Sequence, residues 1–408
     1  MTSSATQMLD VSLMEVEDGA HALIERAAQI GASDLFFLSN DKFMAINVRH
    51  LGIVRPLSTV DLNQGRRFLQ HIKAQAAMDV GERRRPLDGR WIYEDESGSI
   101  VDLRINSIPT LHGEDFTIRL LAHETGLMDV ADLGLTDAQR RQFKHMMDSP
   151  GGLILCTGPT GSGKTTTLYA SLTALNNGTR KINTIEDPIE YEIAGLRQSQ
   201  INPVLHLGFV ELLRSVLRQS PDVIMIGEIR DVETAQTAVR AANGGHLVFS
   251  TLHAPVAAAA IQSMRALDVH PHFLATCLRG IVTQRLVRTL CPHCRVEFDI
   301  SNNPQVFDEI ENLLSPDEGK AFYAPKGCER CDMLGYTSRT GLFEVMDITK
   351  DVRNQIIAGA PIADIRAKAI EKGMLEFRKA ALLKVARGQT SIEEVFRVVP
   401  SEHLRLHG

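Results

Sequence analysis

The stretch GGLILCTGPTGSGKTTTLYASLTAL at 151–175 constrains the fold of this chain more than any other. An apolar run that predicts a β-strand leads into a glycine-rich loop and then into a helical pattern. The loop matches G-x-x-x-x-G-K-[ST], in which glycines let successive backbone N–H groups point into one concavity that binds phosphate. The residues predicted to hold a nucleotide are Gly158, Pro159, Thr160, Gly161, Ser162, Gly163, Lys164, Thr165 and Thr166.

The last residues of this loop carry the chemistry of a nucleotide site. Lys164 is predicted to reach the β- and γ-phosphates, and the Thr165 hydroxyl is predicted to bind Mg²⁺. A chance match to a short pattern is the alternative, and the flanking strand and helix argue against it. Cys156, just before the loop, fits a small core residue better than a nucleophile. ATP and Mg²⁺ are therefore the expected ligands.

Three further apolar segments alternate with helical patterns after the loop. They are KINTIEDPIE at 181–190, DVIMIGEIRD at 222–231 and HLVFSTLH at 246–253. This alternation is typical of a parallel sheet that helices cover on both faces. P-loop enzymes usually end the second of these strands with an Asp that holds Mg²⁺. Here Gly227 takes that place, and the acid, Glu228, follows it.

The chain before the loop has a different pattern. Five short apolar runs predict strands, and two segments, 20–31 and 66–78, have helical spacing. We predict a small α+β domain at 20–122, preceded by a disordered terminus at 1–19 and followed by a linker at 123–135. The predicted strands are 34–39, 43–48, 90–95, 101–108 and 116–121.

The α/β domain is predicted to cover 136–408, with an insert at 288–340 and a helical end at 350–408. Two C-x-x-C turns lie in the insert, and four thiolates from such turns form a closed tetrahedral site that suits structural Zn²⁺. A redox-active pair is the alternative, and the doubled motif argues against it. The segment between the turns is long enough to carry a small fold of its own. The predicted zinc ligands are Cys291, Cys294, Cys328 and Cys331.

The bulk composition narrows the class of protein. The 408 residues are 44% hydrophobic and 23% charged, which is ordinary for globular proteins. The net charge of −6 argues against a dedicated nucleic-acid binder. No apolar run approaches the roughly 18–20 residues of a membrane span, and the N-terminus lacks the pattern of a secretory signal. A cytoplasmic protein with reduced cysteines is expected.

Several stretches together resemble one family, the secretion ATPases of type II secretion and type IV pilus machines. The resemblance runs from about Ser33 to about Leu383 and is far more specific than the loop alone. It implies a RecA-like P-loop ATPase domain preceded by a small α+β, PAS-like domain, with a zinc-binding insert and a helical end. The stretches are GERRRPLDGR (81–90), VDLRINSIPTLHGED (101–115), TIEDPIEY (184–191), LRSVLRQSPDVIMIGEIRD (213–231), GGHLVFSTLHA (244–254) and VTQRLVRTLCPHC (282–294).

The resemblance implies roles for acids and histidines of the ATPase domain. Glu186 is implied to polarise the attacking water, and Glu228 to lie near Mg²⁺ and the γ-phosphate. His246 and His253 fall in a segment implied to sense the nucleotide. Phosphoryl transfer needs positioning and charge neutralisation, which agrees with two carboxylates in separate roles. The other acids near these strand ends, for which helix caps or surface ion pairs are the alternative, are Asp187 and Glu190.

Arginines are needed to stabilise the charge that develops on the transferred phosphoryl group. The resemblance supplies them from the preceding domain, which is implied to close over the nucleotide, at Arg90, Arg104 and Arg119. Arg214 and Arg218, four residues apart on a predicted helix, share one face and could reach the site of a neighbouring subunit. A solvated basic face is the alternative for both.

Two positions depart from the family pattern. Gln219–Asp222 reads Gln-Ser-Pro-Asp where Gln-Asp-Pro-Asp is usual, and Gly244 stands where Thr is common. Neither change removes a group assigned to chemistry. The four-cysteine insert is similar to that of assembly ATPases, and retraction ATPases generally lack it.

The resemblance implies an ATP-hydrolysing homo-hexamer that acts on an inner-membrane platform protein to assemble a type IV pilus or a type II secretion pseudopilus. Such a protein is cytoplasmic and associates peripherally with the inner membrane through its partners. No nucleic acid is expected. A pilus-retraction or conjugation-type ATPase is the nearest alternative. A DNA-translocating ring, a zinc-containing nucleic-acid binder and a nucleotide-sensing scaffold with slow turnover are alternatives from other classes.

Overall fold

A computed structural model describes residues 8–94, 98, 100–122, 127–300 and 304–404 of the chain. The chain divides into two compact units. The first comprises Met1–Gly126 together with Gly327–Thr337, and the second comprises Leu127–Lys326 and Ser338–Gly408.

The first unit is built on a six-stranded antiparallel sheet in the order β3-β2-β1-β6-β5-β4. The helices α1, Val16–Gln29, and α2, Leu62–Gln75, supply apolar side chains to the same core as the strands. This arrangement is the small α+β domain that the sequence predicts. The strands are β1 Asp34–Ser39, β2 Phe43–His50, β3 Ile53–Asp61, β4 Leu87–Glu94, β5 Ile100–Thr110 and β6 Gly113–Ala122.

Strand β3 is absent from the sequence-based prediction, and its composition explains why. Pro56 lies inside it and cannot donate a hydrogen bond to a sheet. Because β3 is an edge strand, the proline is tolerated there.

The N-terminal segment also differs from the expectation of disorder. Residues 1–7 lie outside the described part of the chain. Within 8–19, Val11 is fully buried and its carbonyl accepts a hydrogen bond of 2.7 Å from Nε2 of Gln64. The first helix begins at Val16. This segment is therefore part of the first unit's core.

The second unit is built on a seven-stranded sheet in the order β15-β12-β7-β11-β10-β8-β9. All the pairs from β12 to β9 are parallel. The four strands β7, β11, β10 and β8 are buried along their whole length, as expected for a sheet covered on both faces. The strands are β7 Gly152–Thr157, β8 Ile182–Glu186, β9 Arg197–Gln200, β10 Val223–Ile226, β11 Leu247–Leu252, β12 Leu278–Leu290 and β15 Tyr336–Asp347.

Helices pack on both faces of this sheet and bury two separate apolar clusters. Because the strands run parallel, their carboxyl ends meet at one edge, where the phosphate-binding loop also lies. The helices are α3 Asp137–Met147, α4 Lys164–Leu175, α5 Phe209–Val216, α6 Val232–Asn243, α7 Ala257–Ala266, α8 Pro271–Cys277, α9 Lys350–Ile357, α10 Ile362–Glu371, α11 Phe377–Ala386, α12 Ile392–Val398 and α13 Ser401–Leu404. The last five form the expected helical end.

The insert contains a small fold of its own, as the sequence predicts. A two-stranded antiparallel hairpin joins β13, Val296–Asp299, to β14, Ala321–Ala324. A 3₁₀ helix at Pro304–Leu313 lies between them and buries Phe307 and Ile310.

The predicted linker at 123–135 includes a packed segment. Residues 123–126 lie outside the described part of the chain. Val130 and Leu133, around a short 3₁₀ turn, are buried in the core of the second unit. No helix among the described residues has both the length and the apolar content that a membrane span requires.

Candidate nucleotide-binding site

The glycine-rich loop joins the buried strand β7 to the helix α4 and has the backbone of a phosphate cradle. Gly158, Gly161 and Gly163 all have positive φ, at 143°, 74° and 87°. A Cβ at Gly158 would lie 2.4 Å from the carbonyl oxygen of Gln284, so a side chain there is excluded. Nε2 of Gln284 also donates a 2.7 Å hydrogen bond to the carbonyl of Ser162, which ties β12 to the loop. The loop is thus held in shape from the neighbouring strand.

Lys164 lies at the first position of α4 and bends over the loop. Its Nζ donates hydrogen bonds to the carbonyl oxygens of Gly158 at 2.9 Å and Pro159 at 3.1 Å. Burial lowers the pKa of Lys164, and the negative charge of Glu228 acts in the opposite direction. The Lys164 ammonium therefore lies in the electrostatic field of Glu228, and a nucleotide site needs both charges close together.

The loop fits a nucleotide and its Mg²⁺. Within the described residues, the Ser162 hydroxyl is buried and has no hydrogen-bond partner. The side chain of Thr165 is exposed at the start of α4, on the same loop. A hydroxyl and carboxylates are oxygen ligands of the kind that Mg²⁺ prefers.

Gly227 places Glu228 at the edge of the sheet. The Gly227 N–H donates a 2.8 Å hydrogen bond to the carbonyl of Ile185 in β8. A Cβ at Gly227 would lie 3.2 Å from the same carbonyl oxygen, so a larger residue would push β10 and β8 apart. Oε1 of Glu228 lies 3.0 Å from Nε2 of His253, which follows β11. The structure thus brings Glu228 and His253 together, as the prediction of one shared site requires.

Arg230, for which the sequence predicts no role, contacts two acids of this edge. Its Nη2 lies 2.6 Å and its Nε 2.7 Å from Oε2 of Glu228. Its Nη1 lies 3.5 Å from Oδ2 of Asp187, which directly follows β8. The only signal in the sequence is the spacing of Glu and Arg in GEIRD, because Asp187 is distant along the chain.

Glu186 has a different environment from Glu228. Its side chain is buried, and its carboxylate accepts hydrogen bonds from three protein donors. Oε2 accepts from the Tyr169 hydroxyl, and Oε1 accepts from the Thr184 hydroxyl at 2.5 Å and from Nε2 of Gln198 at 3.1 Å. Burial and the Glu186 hydrogen bond raise the pKa of Tyr169. The water-polarising role of Glu186 stays a prediction, and these donors take three of the roughly four acceptor positions of its carboxylate.

His246 lies away from the phosphate-binding loop. It precedes β11, whereas His253 follows it, so the two histidines lie at opposite ends of that strand. Nδ1 of His246 lies 3.0 Å from the carbonyl oxygen of Ala241 at the end of α6. The role of His246 in sensing the nucleotide stays a prediction; within this chain it lies at the edge of the sheet opposite the phosphate-binding loop.

Arg214 and Arg218 do not lie in the same α-helix. The helix α5 ends at Val216, and Arg218 belongs to the 3₁₀ turn at Leu217–Gln219. Arg214 pairs with Glu233 of α6, and Nη2 of Arg218 donates a 3.3 Å hydrogen bond to the Ser215 hydroxyl. A role in a neighbouring subunit's site stays a prediction for both.

The three arginines of the first unit form a row across its sheet. Arg90 of β4 pairs in register with Arg104 of β5, which pairs with Arg119 of β6, and Arg119 pairs with Asp34 of β1. Residues directly opposite one another in an antiparallel sheet point to the same face. A bidentate contact of 2.8 and 3.0 Å to Asp102 fixes the Arg90 guanidinium. This row offers several cationic side chains to an anion, and its role toward a nucleotide stays a prediction.

The four cysteines of the two C-x-x-C turns come together. Their Sγ atoms all lie within 4.8 Å of one another. Zinc–sulfur bonds of about 2.3 Å in a tetrahedron place sulfur atoms about 3.8 Å apart, so the spacing fits Zn²⁺. The backbone N–H groups of Cys328 and Gly335 each lie 3.2 Å from Sγ of Cys331, where they favour a thiolate. The cluster is Cys291, Cys294, Cys328 and Cys331.

Comparisons with known proteins identify relatives of this chain. The family model described as "Type II/IV secretion system protein" matches residues 11–397. The chain is 39% identical over 396 residues to "Type II secretion system protein E" of Dickeya dadantii, covering 96% of this chain and 78% of that protein. It is 37% identical over 373 residues to "Type IV pilus assembly ATPase PilB" of Thermus thermophilus, covering 91% of this chain and 42% of that protein.

A solved structure gives the fold independently. The ATPase DotB of Legionella pneumophila superposes with a TM-score of 0.69 at 20% sequence identity, over 96% of this chain and 97% of that chain. At that identity the likeness concerns the fold alone, and it agrees with a mixed α/β ATPase fold that ends in helices. The extent of the family match and the identity to the curated relatives show that this chain belongs to the type II/IV secretion system protein family.

Proposed function

We propose that the protein is an ATP-hydrolysing motor that powers the assembly of a type IV pilus or a type II secretion pseudopilus. The observation that carries the proposal is the edge of the second unit's sheet. There, a phosphate-binding loop with its lysine lies in the field of Glu228, which contacts His253 and Arg230. Two relatives, a type II secretion system protein and a type IV pilus assembly ATPase, have names that agree with this function.

Residues of this edge divide the work of phosphoryl transfer. The loop N–H groups and Lys164 bind and orient the phosphates. The Thr165 hydroxyl and Glu228 would hold Mg²⁺, which neutralises phosphate charge when bound. Glu186 is assigned to the attacking water. The row of Arg90, Arg104 and Arg119 belongs to the first unit, and its assignment to negative charge on the nucleotide follows from the family resemblance.

The ATPase assignment has a direct test. Purified protein is expected to hydrolyse ATP in the presence of Mg²⁺ and to lose this activity in excess EDTA, because the phosphates are then bound without their counter-ion. Turnover is measured by phosphate release in each fraction from size-exclusion chromatography, with the molar mass of each fraction determined by light scattering. A homo-hexamer is expected to be the active species. If none of the oligomeric fractions shows Mg²⁺-dependent ATP turnover, the proposal is wrong.

The cellular role is tested separately. Deletion of the gene is expected to abolish surface pili or the export of secreted proteins, and complementation with the intact gene should restore them. Co-purification with an inner-membrane platform protein is expected from membrane extracts. A deletion strain that accumulates excess filaments would contradict assembly and indicate retraction.

We also propose that the four cysteines hold one structural Zn²⁺. The purified protein is expected to contain about one zinc per chain, released when a mercurial reagent blocks the thiols. Cys294→Ser should lose the zinc and lower the melting temperature, since a structural metal contributes to folding. Metal content is measured by mass spectrometry. The matched control is Cys277→Ala, a cysteine outside the cluster, which should retain stoichiometric zinc. A disulfide within either pair and no zinc would contradict the proposal.

A further inference from the structure

Arg230 is held by acids from two different strand ends. Two of its nitrogen atoms contact the same oxygen, Oε2 of Glu228, at 2.6 and 2.7 Å. The third, Nη1, faces Oδ2 of Asp187 at 3.5 Å. The guanidinium therefore spans the gap between the loops that follow β8 and β10.

Both oxygens of Glu228 are engaged in this arrangement. Arg230 contacts Oε2, and His253 lies against Oε1. A carboxylate that binds a divalent cation must offer it an oxygen. Because Arg230 brings a full positive charge to this carboxylate, a divalent cation that binds Glu228 has to compete with that charge.

Both partners of Glu228 have side chains that are about half exposed, Arg230 at 58% and His253 at 55%, and exposed ion pairs are weak and easily rearranged. By contrast, the pair of Arg288 and Glu394 is a fixed structural contact, with Glu394 fully buried. Replacement of the arginine by another cation at Glu228 would keep the local charge balanced. Arg230 differs from His253 in having a second acid within reach. Asp187, on the far side of the same guanidinium, offers Arg230 a second partner close by.

We propose that Arg230 is an exchangeable counter-ion of Glu228. It holds Oε2 of Glu228, and it moves to Asp187 when Glu228 turns to the divalent cation of a bound nucleotide. Arg230 thereby competes with the metal and limits how tightly the site retains Mg²⁺–ADP after hydrolysis. This is a positioning role that rests on the proposed ATPase function.

The test measures Mg²⁺-dependent binding of ADP carrying a fluorescent ribose label. Arg230→Gln removes the competing cation, so the Mg²⁺ concentration for half-maximal binding should fall about two- to fivefold, the effect of losing one exposed ion pair. Release of Mg²⁺–ADP should slow by a similar factor. Arg230→Lys keeps the charge and should stay close to wild type. Binding in EDTA should be unchanged in both variants.

Arg240→Gln is the matched control. Arg240 is exposed on α6, where its side chain contacts Gln236 and Thr237 of the same helix, and the variant should bind Mg²⁺–ADP as wild type does. Unchanged or weaker Mg²⁺ affinity in a folded Arg230→Gln protein overturns the proposal, as does a large loss of binding in EDTA, which would make Arg230 a phosphate ligand. Melting temperatures establish folding. If wild-type protein binds ADP but does not hydrolyse ATP, the ATPase function is wrong. The effect of Arg230→Gln on Mg²⁺–ADP binding can still be measured in that case.

Discussion

A Lys164→Ala variant is expected to lose ATP turnover by on the order of 10²–10³-fold or more, because it removes the cation that neutralises the β- and γ-phosphates. The Lys164 ammonium also closes the loop through its hydrogen bonds to Gly158 and Pro159. The variant should therefore bind ATP more weakly as well. Both effects are measured on the same preparation, by phosphate release and by titration with a fluorescent nucleotide.

The matched control for this variant is Lys144→Ala. Lys144 is an exposed lysine on α3, and its loss should leave turnover unchanged. Full ATPase activity in Lys164→Ala would contradict the assignment of the loop as the nucleotide site. A melting temperature close to wild type establishes that lost activity does not come from unfolding.

Glu228→Gln is expected to lower turnover by about 10²-fold or more while sparing ATP binding, because Gln keeps the shape but removes the charge that supports the metal. Glu186→Gln is expected to have the same outcome if this acid orients the attacking water. Single-turnover kinetics and nucleotide titration separate the chemical step from binding. The matched control is Glu192→Gln. Glu192 is exposed and follows β8, the strand that ends at Glu186, and this variant should keep its ATPase activity.

The comparison of the two variants tests the division of labour between the acids. Glu186 is buried under three donors, including the Tyr169 hydroxyl, whereas Glu228 faces His253 and Arg230. If only Glu228→Gln loses turnover, Glu186 is a buried structural acid and the assignment of the water to it is wrong. If only Glu186→Gln does, Glu228 does not support the metal.

Much of the fold could be predicted from the sequence because the signals are local. The apolar strand, the glycine loop and the helix that follow one another at 151–175 specify a phosphate cradle without reference to the rest of the chain. Strand β3 escaped prediction because the local signal of Pro56 opposes a strand, and only its edge position makes it tolerable.

The site was predictable only in part, because its side chains come from separate segments. Arg230 was missed, since its contact with Asp187 exists only where β8 and β10 end side by side. His246 and His253 are close in the sequence but flank opposite ends of β11, which separates them by roughly 20 Å along the strand direction.

Local patterns were enough to predict the class of fold, the phosphate-binding loop, the four cysteines of the insert and the family. Each of these depends on residues that are close along the chain or on stretches that resemble the family. Three other arrangements exist only in the folded chain: the arginines of the first unit form one row, Glu186 is enclosed, and Arg230 contacts Glu228. These arrangements depend on strand register and on which strand ends meet at one edge of a sheet. Both are set by the packing of distant segments, which no local pattern encodes.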